Sequence, residues 1–282
     1  MGAVRGPRRE IEGSAGVDPG RPPGREAVEV RAADVAGVLN GRHDQRAGLG
    51  HRWGLPEAIV GFAAGLVVSL VAAGIAESAT GYHPSSSGPL PVAVIAANVA
   101  GLWVGLAGAA VYASRRHGTG SLASDFGWRP GPWWELPVGA AVGLAAQYVL
   151  IPLLYLPFES FDRSLTHQLS EPVQRDTGDA HTVVQAAVLM LFLALGAPLI
   201  EELFFRGLLF RALLGRVPVP VAVVLSAVLF ALAHFEAVQL AGLAVFGALL
   251  AYMAWRTGRL GMSIGAHVAF NAAAVISVVG LR

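Results

Sequence analysis

The sequence predicts an all-α protein, a polytopic membrane helix bundle with about seven transmembrane helices. Hydrophobic residues make up 54% of the 282 residues and charged residues only 14%, whereas a soluble domain has roughly 25% charged residues. The apolar residues also fall into long runs, and a helix of about 20 apolar residues can cross a bilayer. Seven such runs can be delimited: 55–79, 92–114, 134–157, 183–214, 219–235, 238–255 and 261–281.

Residues 1–50 differ in composition from the rest of the chain. They are rich in Gly, Pro, Ala and Arg and show no apolar periodicity, so they cannot bury enough apolar surface to offset the entropy of folding. We predict a disordered cytoplasmic tail over 1–50 and one membrane domain over 51–282. The first apolar run lacks a small-residue cleavage site and is interpreted as a retained signal anchor.

The composition also excludes several kinds of site. The chain has no cysteine, which excludes disulfides, thiolate metal sites and a cysteine nucleophile. All 20 basic residues are arginine and the net charge is +1, so the charge balance gives no indication of a nucleic-acid partner. The lipid bilayer is the partner that the composition predicts.

The positions of the arginines predict the orientation of the helices, because short loops rich in arginine stay in the cytoplasm. Arginines lie before the first run and after the second, fourth and sixth runs, at Arg46, Arg52, Arg115, Arg116, Arg129, Arg211, Arg216, Arg256 and Arg259. The opposite loops contain few arginines or none. The alternation predicts a cytoplasmic N-terminus and an external C-terminus.

Small residues predict how the first helices pack. Each of the first three runs contains two glycines four residues apart, which lie on one helix face and let helix backbones approach closely. These glycines are Gly61 and Gly65, Gly101 and Gly105, and Gly139 and Gly143.

The 183–214 run is too long for one straight crossing of a hydrocarbon layer about 30 Å thick. Its middle contains the sequence Gly196-Ala197-Pro198. Because proline lacks an N–H and crowds the preceding turn, we predict a kink or break at this position.

Three ionisable side chains lie close together inside this run: Glu201, Glu202 and Arg206. A charged residue at the centre of a spanning helix costs about 2.5–3.5 kcal/mol on insertion scales, which marks such residues as functional candidates. Glu202 and Arg206 are four residues apart with the acid first, the favourable order for an intrahelical ion pair, and we interpret them as structural partners. Glu201 is rotated by about 100° from Glu202 and can face another group.

Two of the eight histidines, His234 and His267, lie inside apolar runs, whereas the others lie in the tail, the loops or at segment edges. These histidines and the two glutamates are the strongly titratable groups at membrane depth, so we expect them to converge on one site. Asn271 follows His267 by four residues and Phe230 precedes His234 by four, so each pair shares a helix face. Phe230 is interpreted as an aromatic wall.

The expected depths of these residues conflict. Glu201 and His234 are about equally far from the turn that joins their helices, roughly 22–25 Å at 1.5 Å per residue. His267 is only on the order of 12 Å from the cytoplasmic end of its own helix. The residues can meet if the hairpin of the fourth and fifth runs projects into the cytoplasm, or if the last helix enters more deeply.

Three short motifs, in this order along the chain, resemble those of the CPBP family, the CAAX protease and bacteriocin-processing enzymes also called Abi-type intramembrane proteases. The motifs are Glu201-Glu202-x-x-x-Arg206, Phe230-x-x-x-His234 and His267-x-x-x-Asn271, within a motif core of about 183–275. The resemblance implies a glutamate-type intramembrane endopeptidase in which Glu201 and His234 activate a water. It also implies that His267 and Asn271 stabilise the oxyanion.

These residue types suit peptide hydrolysis. A carboxylate such as Glu201 can act as the base toward water if burial and His234 adjust its proton affinity. A histidine N–H and an asparagine amide on one helix face supply two donors for an oxyanion. A serine nucleophile is disfavoured, because Ser226 and Ser263 lack the Gly-x-Ser-x-Gly setting.

A metal site is the main alternative to a glutamate base. Glu201, His234 and His267 could form a two-histidine, one-carboxylate zinc site with an open position. The His-Glu-x-x-His pattern is absent, and the glutamate mechanism implied by the resemblance needs no metal. We therefore expect no obligatory cofactor and keep zinc as the alternative.

Two other classes of protein fit the composition. A membrane transporter or channel would use the buried Glu, Arg and His groups as an ion relay, but the helices otherwise offer few polar residues to line a route. A non-catalytic membrane scaffold would use Glu202 and Arg206 to join helices. Neither class explains why His267 and Asn271 accompany the acids, so a protease is the preferred interpretation.

The resemblance does not specify a substrate. Prenylated CAAX proteins are the eukaryotic substrates of the family, whereas an arginine-only chain rich in Gly and Ala is more typical of a bacterial member. We therefore predict an integral protein of the bacterial plasma membrane that cleaves a membrane-associated peptide or protein.

The predicted topology can be tested with reporter fusions. Fusions at Ser86 and Thr177 are expected to report an external position, because the loops that contain these residues lie opposite the arginine-rich loops. A cytoplasmic signal from either fusion would contradict the topology.

Overall fold

The computed structural model describes residues 54–83, 89–159, 164–178 and 180–279, and over these residues the secondary structure is helical without a β-strand. The predicted tail, 1–50, lies outside the described residues. In chain order the helices are α1 (Leu55–Thr80), α2 (Val92–His117), α3 (Leu122–Phe126), α4 (Glu135–Glu159), α5 (Leu165–Thr177), α6 (Val183–Leu214), α7 (Val219–Leu232), α8 (Leu240–Thr257) and α9 (Gly261–Val279). The predicted all-α class is confirmed.

The apolar helices form a membrane bundle. Within the described ranges, five helices are long and apolar enough to cross a membrane, namely α1, α2, α4, α6 and α8, and α7 and α9 are shorter apolar helices. The sequence placed the end of the fifth run at 235, but α7 stops at Leu232 and a turn follows in which Phe235 has a φ of 56°. Seven crossings therefore remain a prediction, because α7 is about 21 Å long and the hydrocarbon layer about 30 Å thick.

Glycines allow the close helix contacts that their spacing predicts. A Cβ atom added to Gly105 of α2 would overlap the backbone of Gly65 of α1. A Cβ atom added to Gly143 of α4 would overlap the backbone of Ala266 of α9. The structure thus confirms that small residues bring the backbones of α1 and α2, and of α4 and α9, into contact.

Helix α6 does not break at the predicted kink. It is continuous over Val183–Leu214, but it contains two π-helical segments, Met190–Gly196 and Glu202–Leu209, separated by the α-helical stretch Ala197–Glu201. A π-helical turn contains an extra residue and changes the hydrogen-bond register without ending the helix. The consequence of Gly196-Ala197-Pro198 is therefore a shift of register immediately before the two glutamates.

A hydrogen bond joins α6 to the turn after α8, where the Nη2 atom of Arg211 donates to the carbonyl of Gly258 at 3.0 Å. Glu201 precedes Arg211 by ten residues and His267 follows Gly258 by nine, which is about 15 Å along each helix. These similar distances are compatible with the meeting of Glu201 and His267 in one site. Both arrangements that would set the depth of that site in the membrane stay predictions.

Helix α5 was not predicted from the sequence, which gave only a loop at 158–182. Apolar residues spaced by four mark its half-buried face: Leu165, Leu169 and Val173. Gln239 Nε2 donates to the carbonyl of Leu169 at 2.8 Å, and Arg175 Nη2 donates to Glu236 Oε1 at 3.2 Å. These contacts attach α5 to residues 233–239, hereafter called the α7–α8 connector. The helix was missed because a scan for long apolar runs ignores a short amphipathic helix.

The close packing of α1 on α2 can be tested at two glycines of one helix. Gly105→Ala inserts a methyl group against the backbone of α1 and is expected to destabilise the protein by about 1–3 kcal/mol. Gly108→Ala is the matched control, because a Cβ atom at Gly108 meets nothing within 4 Å, and the higher helix propensity of alanine should then stabilise the helix by up to about 1 kcal/mol. Thermal unfolding in detergent measures both, and equal stability of the two variants would refute this account.

Candidate active site

A cavity of about 520 Å³ brings together the four residues that the sequence proposed as catalytic: Glu201, His234, His267 and Asn271 all line it. They come from α6, from the α7–α8 connector and from α9. Residues of α2, α4, α5 and α8 complete the walls. The fold therefore brings Glu201, His234 and His267 together around one cavity.

Glu202 and Arg206 form the expected ion pair away from this cavity. Arg206 Nη1 donates to Glu202 Oε1 at 2.8 Å, and both side chains are 0% exposed. Arg206 Nη2 also donates to the carbonyl of Gly247 in α8 at 3.1 Å, and the guanidinium lies 4.3 Å from the ring centroid of Phe230. The buried cation thus contacts a carboxylate, a carbonyl and an aromatic face, which reduces the free energy lost on removing it from water. Its Nε atom is buried without a hydrogen-bond partner in the protein.

His267 contacts both glutamates, a role that the sequence did not reveal. Its Nδ1 atom is 3.0 Å from Glu202 Oε1, and its Nε2 atom is 3.8 Å from Glu201 Oε2. The first distance is that of a hydrogen bond and the second is too long for one. Glu202, paired with Arg206, can only accept, so the hydrogen in the first bond belongs to Nδ1 of His267. The Nε2 atom of His267 lies on the side of Glu201 and the cavity and does not take part in this bond.

Glu201 differs from Glu202 in its exposure and in its partners. The Glu201 side chain is 16% exposed and lines the cavity. The Glu202 side chain is 0% exposed, and its Oε1 atom accepts from both Arg206 and His267. The Oε2 atom of each residue is buried without a hydrogen bond from the protein. Glu202 is therefore held by protein donors through Oε1, and Glu201 is the acid that a molecule in the cavity can reach.

His234 lies in the turn after α7 and not within a membrane helix as the sequence suggested. Its Nδ1 atom is 2.8 Å from the carbonyl oxygen of Phe230, which can only accept, so Nδ1 carries a hydrogen. In the neutral ring the Nε2 atom then has a lone pair that can bind a water. Helix α7 ends at Leu232, and in the turn that follows Phe235 has a positive φ.

Phe230 does not form the cavity wall that was expected. The residue is 0% exposed and lies behind the lining residues. Its ring centroid is 4.7 Å from that of His234 and 5.5 Å from that of His267, both in edge contacts. Phe230 therefore packs between the two histidines and the guanidinium of Arg206 and fixes their relative positions.

Asn271 lines the cavity, and its Nδ2 atom donates to the carbonyl of Leu193 in α6 at 2.9 Å. A carbonyl accepts only, so the contact identifies which end of the amide faces Leu193. The amide nitrogen has a second hydrogen that this bond does not use. Asn271 is thus anchored to α6 while it retains donor capacity.

Tyr155 of α4 fixes the α7–α8 connector, and sequence reasoning did not identify it. Its hydroxyl donates to the carbonyl of Val238 at 2.8 Å and accepts from the N–H of Gly242 at 3.0 Å. Gly242 lies in the first turn of α8, where backbone N–H groups have no acceptor within the helix. The available signal was a tyrosine in an apolar run, whose hydroxyl needs a partner when buried.

The cavity combines aromatic walls with a charged edge. Trp103 and Phe270 are among the aromatic lining residues, and Arg175, Asp176 and Glu236 lie on the side of α5. Arg175 Nε is 3.2 Å from Asp176 Oδ1 and its Nη2 is 3.2 Å from Glu236 Oε1. Burial, the largest influence, raises the pKa of Asp176 against the opposing effect of Arg175. A ligand would thus meet polar groups on the α5 side and apolar groups deeper in the cavity.

The three side chains of the zinc alternative lie around one cavity. Among the described residues, no group of three or more His, Asp or Glu side chains is arranged to hold a metal ion. His267 uses Nδ1 for Glu202, and its Nε2 atom lies 3.8 Å from Glu201 Oε2. The expectation that no metal is required stays a prediction.

The two serines considered as nucleophiles are structural. Ser226 and Ser263 are both 0% exposed and do not line the cavity. Ser226 Oγ donates to the carbonyl of Phe205 at 3.4 Å, and Ser263 Oγ donates to that of Leu260 at 3.1 Å. Neither hydroxyl is accessible to a substrate in the cavity.

Comparison with known proteins gives one match. Residues 183–273 match the family model described as type II CAAX prenyl endopeptidase Rce1-like. No curated protein and no solved structure gives a significant match. The matched residues include all three motifs and extend from the start of α6 into α9, and they favour a protease over a transporter or a scaffold.

The structural role of Glu202 predicts a large loss of stability on neutralisation. Glu202→Gln leaves Arg206 as a buried charge without a counter-ion and is expected to destabilise the protein by about 3–5 kcal/mol. The matched control is Glu236→Gln, which removes a carboxylate from an ion pair whose side chains are 30% and 52% exposed and should have an effect of about 1 kcal/mol or less. Thermal unfolding in detergent compares the two, and similar effects would mean that Glu202 has no special structural role.

Proposed function

We propose that this protein, whose residues 183–273 match the family model described as type II CAAX prenyl endopeptidase Rce1-like, is an intramembrane endopeptidase with a glutamate base. Glu201 and His234 would activate a water that attacks the scissile carbonyl. His267 and Asn271 would stabilise the resulting oxyanion. The observation that carries the proposal is that these four side chains line one cavity, whereas Glu202, Arg206 and Phe230 lie outside it.

The attacking water would bind between Glu201 and His234. Glu201 offers a partly exposed carboxylate on the cavity lining, and His234 offers Nε2 because Nδ1 donates to Phe230. Glu201 takes one proton from the water as the oxygen forms a bond to the carbonyl carbon. The proton then passes to the amide nitrogen, the C–N bond breaks, and a carboxylic acid and an amine are released. The hydrolysis consumes one water and needs no further reactant.

Stabilisation of the oxyanion would use the anchored donors. His267 donates from Nδ1 to Glu202, so donation from Nε2 to the oxyanion requires hydrogens on both ring nitrogens. Asn271 supplies its second amide hydrogen. Donors fixed in place before the reaction are effective because they need not reorganise as charge develops.

The substrate is proposed to be a peptide or protein of the bacterial plasma membrane, since the cavity is formed by membrane helices with aromatic walls. Comparing the membrane peptidome with and without the protein would identify an uncleaved precursor. A quenched fluorogenic peptide that spans the identified bond then serves as the assay substrate. Unchanged peptidomes would contradict the proposed activity.

The catalytic assignment predicts a graded set of defects. Glu201→Gln retains size and hydrogen bonding but removes the base, so it is expected to abolish cleavage while folded protein remains in membranes. His234→Ala should behave similarly. Asn271→Ala should reduce the rate by about 10²–10³, the typical effect of one oxyanion donor, because His267 remains. Cleavage rates of the quenched peptide measure these effects.

The control for the loss of a carboxylate is Glu77→Gln in α1, which lies away from the cavity lining and should leave cleavage unchanged. Chelator treatment should also leave cleavage unchanged. If Glu201→Gln retained near-normal activity and a chelator stopped it, the glutamate base would be wrong, and Glu201, His234 and His267 would have to be reconsidered as metal ligands.

A further inference from the structure

We infer that Pro198 is a positioning residue for Asn271: because it lacks an N–H, it leaves the Leu193 carbonyl free to accept the hydrogen bond that orients the Asn271 amide. The inference rests on the proposed function, in which Asn271 donates to the oxyanion. Pro198 itself does not touch the substrate, and it would act through the backbone of α6.

The hydrogen-bond pattern of α6 accounts for the free carbonyl. At the end of the π-helical segment Met190–Gly196 the N–H of Ala197 bonds the carbonyl of Phe192, five residues earlier, as is characteristic of a π-helix. The next bond in this pattern would join the Leu193 carbonyl to the N–H of residue 198. Residue 198 is proline, which has no N–H to donate.

A free carbonyl inside a membrane helix is unfavourable unless another donor reaches it. Asn271 Nδ2, from α9, lies 2.9 Å from this oxygen. The bond satisfies Leu193 and at the same time fixes the plane of the amide at the edge of the cavity. Glu201 follows Pro198 by three residues, so the proline, the proposed base and the acceptor of Asn271 all belong to one short stretch of α6.

A proline that served only to bend α6 would act differently. Its replacement would alter the course of the helix and therefore every residue beyond it, Glu201 included. A proline that serves to free the Leu193 carbonyl acts through one bond, and its effect must disappear when Asn271 is absent. A double-mutant cycle separates the two cases.

The test compares Pro198→Ala, Asn271→Ala and the double variant with the wild-type protein on the quenched peptide. Alanine at 198 adds no bulk and supplies an N–H that competes with Asn271 for Leu193, so kcat is expected to fall by about two- to tenfold, the range for one hydrogen bond, with KM unchanged. The double variant should be as active as Asn271→Ala alone, within about twofold. Pro157→Ala is the matched control, since Pro157 lies inside a membrane helix but not on the cavity lining.

Each outcome decides the question. Multiplicative effects in the double variant, or an unchanged kcat for Pro198→Ala, would overturn the inference. Loss of folded Pro198→Ala protein from membranes would also overturn it, because the added N–H has an acceptor ready in Leu193. These failures are distinct from failure of the proposed function, which would appear as activity in Glu201→Gln or as no cleavage by the wild-type protein.

Discussion

One carboxylate oxygen connects the helices that form the site. Oε1 of Glu202 accepts from Arg206 on its own helix and from His267 on α9, and Arg206 continues the connection to Gly247 on α8. A buried charge is tolerated only when it is paired and hydrogen-bonded. These hydrogen bonds therefore join α6, α8 and α9 at one buried ion pair, and the cavity forms beside the point where the three helices meet.

The same constraint separates the tasks of two adjacent acids. Glu202 is fully buried and held by protein donors through Oε1, whereas Glu201, one residue earlier, is partly exposed and lines the cavity. Neighbouring residues on a helix differ by about 100° in direction, so one helix can present a structural acid to the protein and a reactive acid to a cavity. His267 contacts both glutamates and so connects the Glu202–Arg206 pair to the proposed base, Glu201.

Irregular backbone supplies the rest of the site. The turn after α7 places His234 beside the cavity, and Tyr155 satisfies backbone groups on either side of the start of α8. In α6 a π-helical segment and Pro198 leave a carbonyl that Asn271 satisfies. Non-helical or strained backbone inside a membrane protein is tolerated where protein groups complete its hydrogen bonds. Here Tyr155 of α4 and Asn271 of α9 complete those hydrogen bonds.

The sequence by itself determined the helical class, the bounds of α6, the Glu202–Arg206 pair and four of the residues that line the cavity. These follow from local properties, namely the length of apolar runs, the spacing of residues on one helix and the rarity of charge at membrane depth. Only the tertiary structure decided that His267 bonds Glu202, that Phe230 lies behind the cavity and that Tyr155 caps α8. Contacts of this kind depend on how far each helix is rotated and shifted against its neighbours. Packing of all the helices together sets those quantities, and no single stretch of sequence specifies them.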